Sequence, residues 1–291
     1  MRVTRANSQT PAIYRVADRM APSVRRRFLR AVDALAGKVD LTALATAVDA
    51  RQIDQITQLL RLPDLPTQLQ SMAAQVIECF QRSGIVAATE LAQQLSINAV
   101  FDIVNPAAVN WARQSSSRLI VDISDETRRA IRTLVANGIQ NGVPAAQTAR
   151  LLRDSIGLTE RQALAVANYQ AELLANGRTA DDITRLGSRY AQQLTNARAK
   201  LIARTETITS SNQGQQQAWQ QNADKGLFDP ERTKRRWSTT SDERACPICV
   251  PMNGQEVAFA GEAFKGGDGS AIAMPPAHPA CRCSVGLVIA K

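Results

Sequence analysis

Four cysteines and a histidine are gathered near the C-terminal end of this 291-residue chain. Cys246 and Cys249 form a C-x2-C pair, and His278, Cys281 and Cys283 follow after a stretch of roughly thirty residues. A C-x2-C pair lets two thiolates converge on one tetrahedral metal ion, and a second pair of donors can complete the site. This spacing predicts a structural zinc site, because four protein ligands leave no open position for a catalytic water.

Five candidate ligands compete for the four positions of a tetrahedral zinc site. Cys246 and Cys249 make the first half of the predicted site. His278 and Cys281 are the favoured second half, and Cys283 is the substitute if geometry excludes one of them.

Two other readings of the cysteines are open. The cluster could be reduced thiols in a small core, or a redox pair of the C-x-x-C type. A redox pair usually opens a helix, whereas Pro251, Asn253 and Gly254 disfavour a helix after Cys249. The fifth cysteine, Cys79, lies alone among apolar residues, which predicts a buried core residue and argues against a disulfide framework.

The chain has a helical pattern from its start to about Gly226, rich in alanine, leucine, glutamine and arginine. Proline, glycine and capping residues divide the pattern into several helices. The predicted boundaries are a turn at 62–66, a helix over 67–95, an N-cap at Asn105, an N-cap at Ser124 with an end near 137–138, a helix over 144–157, a helix from the N-cap Thr159 to 176–177, and a long helix over 181–221.

The composition changes after Leu227, where glycine and proline become frequent and the helical period ends. Short apolar runs at 256–259 and 285–289 predict strands, and the glycine-rich segment 265–270 predicts a flexible loop. The predicted fold class is therefore α+β. A helical region covers 1–180, and 181–291 holds the long helix and a small zinc-tied C-terminal module with short strands at 228–291.

The formal net charge is +9, from 35 basic and 26 acidic residues, and this excess favours acidic or polyanionic partners. Two basic segments are candidate contacts for nucleic acid or for an acidic protein surface; they contain Arg25, Arg26 and Arg27, and Lys234, Arg235 and Arg236. Ordinary surface salt bridging is the favoured alternative for the second segment, which lies beside several acidic residues, so the arginines of the first segment are the better candidates for such contacts.

The sequence gives little support for a membrane protein, a secreted protein or an enzyme. No run of about 18 apolar residues is present and the start lacks a secretory signal, so a cytosol-like compartment is expected. His278 is the only histidine, which excludes histidine-paired catalysis away from the cluster. Glu206 and Asp242, read as paired acids, lack a nucleophile or a phosphate-binding loop. We therefore expect no enzymatic activity.

An ordered set of motifs in the last third of the chain resembles the phage Mu F-like minor head, or head morphogenesis, proteins. The set comprises Ala203-Arg204-Thr205-Glu206, Asn212, Ala218-Trp219, Trp237, the segment 242–249, Asn253-Gly254 and the segment 275–283. The resemblance implies a minor capsid component inside the head near the portal, which helps procapsid assembly or DNA packaging and delivery. The implied partners are the portal protein, a scaffold or major capsid protein, and DNA. The implied location is the virion, with the host cytoplasm as the site of assembly.

Arg204, Glu206, Asp242 and Arg244 are predicted to form a polar network between the long helix and the zinc-bearing module, with solvated surface charges as the alternative. Trp219 and Trp237 are predicted to lie in the core where helix and module meet. Two other functions stay open at this point. One is a zinc-containing DNA-binding protein, and the other is a hydrolase or ADP-ribosyl-transferring effector of the kind fused to some relatives.

Overall fold

The computed structural model describes residues 12–239 and 246–289. Within these ranges the chain is mostly helical and ends in short strands, which confirms the α+β class. The helices are α1 Ala12–Ala36, α2 Leu41–Asp49, α3 Ile53–Leu59, α4 Leu65–Leu95, α5 Pro106–Gln140, α6 Ala145–Asp154, α7 Glu160–Ala175 and α8 Ala180–Asp224. Short 3-10 turns cover Leu62–Asp64 and Val250–Met252. No helix in the described ranges combines the length and hydropathy that a bilayer crossing requires.

Most helix ends coincide with the capping residues of the sequence. Asn105 precedes α5, and its side-chain oxygen accepts the Ala107 N–H at 3.0 Å. Thr159 and Gln162 form a capping box at the start of α7, so side chains satisfy backbone donors that the first turn leaves free. The long helix predicted over 181–221 is confirmed as α8.

The predicted helix start at Ser124 is wrong. Ser124 lies inside the continuous helix α5, where its buried hydroxyl donates to the Ile120 carbonyl at 2.7 Å. This bond to the preceding turn satisfies the hydroxyl without a helix break. Buried apolar residues on both sides, among them Ile123 and Ile131, continue one packed face through the serine.

The described chain packs as two compact units. Unit 1 contains residues 12–23, 75–114, 201–239 and 246–289, and unit 2 contains Val24–Ala74 and Ser115–Lys200. Because both units are assembled from separate stretches of sequence, the long helices contribute residues to both. The division at residue 180 remains a prediction about domains.

A buried arginine joins several elements of unit 2. Arg198 of α8 donates to the Gly157 carbonyl at 2.6 Å and pairs with the Glu126 carboxylate. Its guanidinium also lies over the Phe28 ring, 5.9 Å from the ring centroid. One side chain therefore connects α1, α5, α8 and the loop after α6 by charge-assisted contacts.

Small residues let α4 and α8 approach closely in unit 1. The Cys79 thiol donates to the Thr207 carbonyl at 3.5 Å, and the Ser83 hydroxyl donates to Ser211 Oγ at 2.9 Å. At Gly214 a Cβ atom would lie only 2.3 Å from the Phe80 carbonyl oxygen. Cys79 is fully buried, as predicted, and burial raises the pKa of its thiol to about 11.

The described residues after α8 contain five short strands: β1 Thr233–Ser238, β2 Glu256–Ala258, β3 Phe264–Lys265, β4 Ala271–Ile272 and β5 Ser284–Ile289. Strand β1 is the centre of an antiparallel sheet of order β2-β1-β5, and β3 and β4 form a separate hairpin. Trp237 of β1 and Trp219 of α8 lie in one apolar core with Cys249, Cys281 and Cys283. The predicted core positions of both tryptophans are confirmed, and this core joins the helix to the cysteine-bearing segments.

Candidate metal centre

The first half of the candidate centre is a tight turn. The N–H groups of Cys249 and Val250 both donate to the Cys246 carbonyl at 3.0 Å, which brings the two cysteines of the C-x2-C pair together. His278 approaches from a distant segment, and its Nε2 lies 3.0 Å from Cys246 Sγ and 3.3 Å from Cys249 Sγ. Three of the predicted ligands therefore converge.

The second half shares Cys249 with the first. Cys249, Cys281 and Cys283 place their sulfurs within 4.8 Å of one another, and Cys249 Sγ lies 3.8 Å from Cys281 Sγ. Cys246, Cys249 and His278 form the other group within the same distance limit. All five predicted ligands thus belong to one cluster, with Cys249 at its centre.

One pair of donors has the spacing of two ligands on a tetrahedral metal ion. Two sulfurs are about 3.8 Å apart when each lies about 2.3 Å from a tetrahedral ion, which is the spacing of Cys249 and Cys281. Nδ1–H of His278 donates to the Pro279 carbonyl at 2.9 Å, and this tautomer leaves the Nε2 lone pair facing the thiols. Thiolate and imidazole are soft or borderline donors, so the cluster could hold a metal such as zinc.

The surroundings of the cluster lower the pKa of Cys281 and raise the pKa of both Cys249 and Cys283. A hydrogen bond from Cys283 lowers the pKa of the Cys281 thiol to about 5, against the opposing effect of burial. Burial, with the neighbouring thiols Cys246 and Cys281, raises the pKa of Cys249 to about 12. Donation to Cys281, followed by burial, also raises the pKa of Cys283. A bound cation would lower the pKa of any thiol that it contacts, because cysteine binds a metal ion as the thiolate.

Side chains and backbone from several elements hold the ligand segments in place. The Ala280 N–H donates to Thr205 Oγ1 of α8 at 3.4 Å, and the Cys281 N–H donates to the His278 carbonyl at 3.1 Å. Thr239 donates through its hydroxyl to the Cys249 carbonyl at 2.9 Å. Thr205 belongs to one of the family-like motifs in the sequence but had no predicted role at the site, and Thr239 lies in none of those motifs.

The glycine-rich segment 265–270 supports the C-x2-C turn. It connects β3 to β4, and the Gly267 N–H donates to the Ile248 carbonyl at 3.0 Å. A Cβ atom at Gly267 would lie 2.2 Å from the Pro247 carbonyl oxygen, so the close approach requires glycine. The sequence predicted a flexible loop, whereas the structure shows a hairpin turn packed against the residues between the two cysteines.

Replacing Gly267 by alanine is expected to weaken metal binding about tenfold, a typical effect of disturbing the support of metal ligands. The added methyl group must displace either the hairpin or the Pro247 carbonyl. Competition with a chromophoric zinc chelator measures the change. Gly286→Ala is the matched control, since its Cβ would meet no heavy atom within 4 Å. Equal affinities for the two variants would contradict the supporting role of Gly267.

Successive side chains in the basic segment of β1 alternate between buried and more exposed positions. Arg235 is 3% exposed and donates to the carbonyls of Ala258, Ala273 and Glu262. Its predicted nucleic-acid contact does not agree with this position, because a buried guanidinium bound to backbone oxygens cannot reach a phosphate.

The neighbouring cations Lys234 and Arg236 both contact Glu256 of β2. Lys234 Nζ lies 3.8 Å from a Glu256 carboxylate oxygen, and Arg236 Nε donates to the other at 2.9 Å. These pairs correspond to the salt-bridging alternative for the segment.

The predicted contacts on α1 are largely open to solvent. Arg25 and Arg26 are exposed and Arg27 is half-buried. Arg25 donates to Asn196 Oδ1 at 3.1 Å within unit 2. Their role toward DNA or a protein surface remains a prediction.

The predicted polar network is described only in part. Arg204 and Glu206 are half-buried on α8, whereas Asp242 and Arg244 lie outside the described residues. The four-residue network therefore remains a prediction.

The fold and the candidate centre define a helical protein whose last module is joined to its long helix through a core that contains the candidate cysteine ligands. Residues 171–286 match the family described as Phage Mu protein F like protein, which confirms the resemblance seen in the sequence. The matched region begins in α7, ends in β5 and includes all five candidate ligands. The match supports a phage head morphogenesis protein. No curated protein and no solved structure matches the chain.

Proposed function

We propose that this protein is a minor structural component inside the phage head, near the portal, which assists procapsid assembly and DNA packaging or delivery. The observation that carries the proposal is the family match over 171–286, which covers both the long helix α8 and the complete Cys/His cluster. The proposed role is non-enzymatic, and His278, the one histidine of the sequence, lies beside Cys246 and Cys249 rather than at a separate histidine-paired catalytic site. Portal protein, scaffold or major capsid protein are the proposed partners.

The proposed cofactor is zinc, held by Cys246, Cys249, His278 and Cys281. His278 Nε2 lies close to both thiols of the C-x2-C pair, and Cys249 has the tetrahedral spacing to Cys281. Cys283 is left as a supporting thiol, because it donates to Cys281 and its sulfur lies 3.8 Å from Thr239 Oγ1. When bound, zinc would cross-link segments that are about thirty residues apart in sequence and so stabilise a small module.

Metal analysis of two serine variants tests this ligand set. Cys246→Ser should lose bound zinc, because it removes a ligand, whereas Cys283→Ser should retain it at the level of the unchanged protein. Mass-spectrometric metal content per chain is the measurement. Full zinc content in Cys246→Ser, or loss of zinc only in Cys283→Ser, would overturn the assignment.

The assembly role is tested in the phage that encodes the chain. Heads should contain this protein, and purified portal protein should bind it. Heads assembled without it should package or deliver DNA poorly, while the control phage that expresses the Cys79→Ala variant should behave normally, since Cys79 lies outside the metal cluster. Normal packaging and delivery without the chain would remove the proposal.

A zinc-containing DNA-binding protein is the second candidate. The exposed arginines Arg25 and Arg26 on α1 favour it, because exposed guanidinium groups can contact phosphates. In a salt titration, affinity that depends on phosphate contacts falls steeply as salt increases, and the double variant Arg25→Ala/Arg26→Ala should reduce the slope by about two. Absence of DNA binding at low salt would exclude this candidate.

A further inference from the structure

A tyrosine near the start of α1 reaches the segment that carries the second half of the metal centre. The Tyr14 hydroxyl donates to the backbone carbonyl of Cys283, 269 residues away in sequence. The same hydroxyl accepts an N–H from Asn212 Nδ2 at 3.3 Å, and Asn212 also donates to the Ile208 carbonyl at 2.8 Å. All of these groups lie within unit 1. Tyr14 is thus oriented by α8 and in turn fixes the peptide of Cys283.

This contact is buried. Tyr14 is 8% exposed and Asn212 is fully buried, so water is a poor substitute for either partner. If the hydroxyl were removed, the Cys283 carbonyl would lose its donor from Tyr14 and Asn212 would lose an acceptor. The contact therefore restricts the position of the peptide in a way that a surface hydrogen bond would not.

The bond between Tyr14 and Cys283 holds the backbone on one side of the candidate ligand Cys281. Cys281 lies between two points of attachment, Ala280, which is bonded to Thr205, and Cys283, which is bonded to Tyr14. Immediately after Cys283 the chain enters β5 and pairs with β1. The thiolate of Cys281 is consequently positioned by backbone that is held on both sides.

We infer that Tyr14 is a positioning residue for the metal centre, and that metal binding is coupled to the docking of the first turns of α1. The inference rests on the proposed zinc site. A metal ion bound by Cys281 would restrict the segment around Cys281 to one position. It would therefore stabilise the state in which Tyr14 bonds to Cys283. By reciprocity, the docked α1 raises the affinity for the metal. The start of the helical region and the C-terminal module would then respond to metal together.

Tyr14→Phe tests the inference with the full chain. Its zinc dissociation constant, measured by chelator competition, should rise about tenfold, as is typical when a group that orients a ligand is removed. Hydrogen exchange over residues 12–23 should be faster in the metal-stripped protein than in the zinc-loaded one. In Tyr14→Phe this difference should be much smaller. Tyr169→Phe is the matched control, because Tyr169 lies in unit 2 and packs against Tyr190.

A second variant covers the case in which Tyr14→Phe does not fold. Asn212→Ala keeps the tyrosine hydroxyl but removes the amide that orients it, and it should weaken zinc binding in the same direction by a smaller factor. Unchanged zinc affinity in a folded Tyr14→Phe or Asn212→Ala protein would overturn the inference and leave the zinc proposal intact. Absence of zinc from the unchanged protein would overturn both.

Discussion

Cys249→Ser is expected to abolish stoichiometric zinc binding and to unfold the C-terminal module while the helices of unit 2 stay folded. Cys249 is the one candidate ligand that belongs to both donor groups found in the described residues, so its loss leaves neither group complete. Its side chain is also buried in the core that contains Trp219 and Trp237. The variant therefore removes a metal ligand and places a hydroxyl in that core, and structural zinc contributes folding free energy directly.

Metal content and hydrogen exchange measure this prediction. Zinc should fall from one ion per chain to a trace, and protection over 246–289 should be lost. Cys79→Ala is the control, because it removes a buried thiol that belongs to neither donor group. A Cys249→Ser protein with a full zinc ion and normal protection would show that the cluster is not the metal site.

Gly214→Ala is expected to lower the free energy of unfolding by about 3 kcal/mol, at the upper end of typical overpacking costs. Helix propensity alone would favour alanine by about 1 kcal/mol, so the sign depends on packing. The new Cβ would lie 2.3 Å from the Phe80 carbonyl and 2.9 Å from the Gly84 nitrogen. Both neighbours are backbone atoms of α4, and they can move only if the two helices separate.

Denaturant unfolding followed by circular dichroism measures the change. Gly286→Ala serves as the control for a glycine with open space, and it should alter stability by less than about 0.5 kcal/mol. A Gly214→Ala protein as stable as the unchanged protein would mean that α4 and α8 are not held at this distance in solution.

Much of the helical structure could be predicted because its ends are determined locally. Asn105 and Thr159 supply side-chain oxygens that the first turn of a helix needs, and a residue with such an oxygen can be recognised without knowledge of the fold. Ser124 has the same chemistry but lies within α5, where its hydroxyl bonds to the preceding turn. A serine inside a helix differs from a capping serine in that a buried apolar face continues on both sides of it. Whether that face is buried depends on tertiary packing.

The convergence of the cysteines and the histidine could be predicted from spacing, but the residues that support the cluster could not. Cys246 and Cys249 are close in sequence, so a short turn brings them together. Tyr14 and Gly267 act through contacts with distant backbone atoms, and neither residue type signals such a contact. The choice among four of five ligands also depends on where the backbone places each sulfur.

Strand β1 shows how composition can conceal a strand. In the sequence, Lys234, Arg235 and Arg236 are candidate contacts for nucleic acid or an acidic protein surface, yet Arg235 occupies a buried strand position between more exposed neighbours. Three backbone carbonyls accept from its guanidinium. A charged residue can occupy a buried strand position when oxygens from neighbouring segments surround it, and those oxygens cannot be seen in the sequence.

The separation of Tyr14 and Cys283 has a consequence for the order of folding during synthesis. Unit 2 has its complete set of residues once Lys200 has left the ribosome, so its core can form while the remaining chain is still being made. Unit 1 needs β5 and the Cys281 segment before the first turns of α1 can make their buried contact. The earliest described part of the chain to be synthesised is therefore among the last to reach its final environment, and capture of the proposed zinc ion would belong to the closing stage of folding.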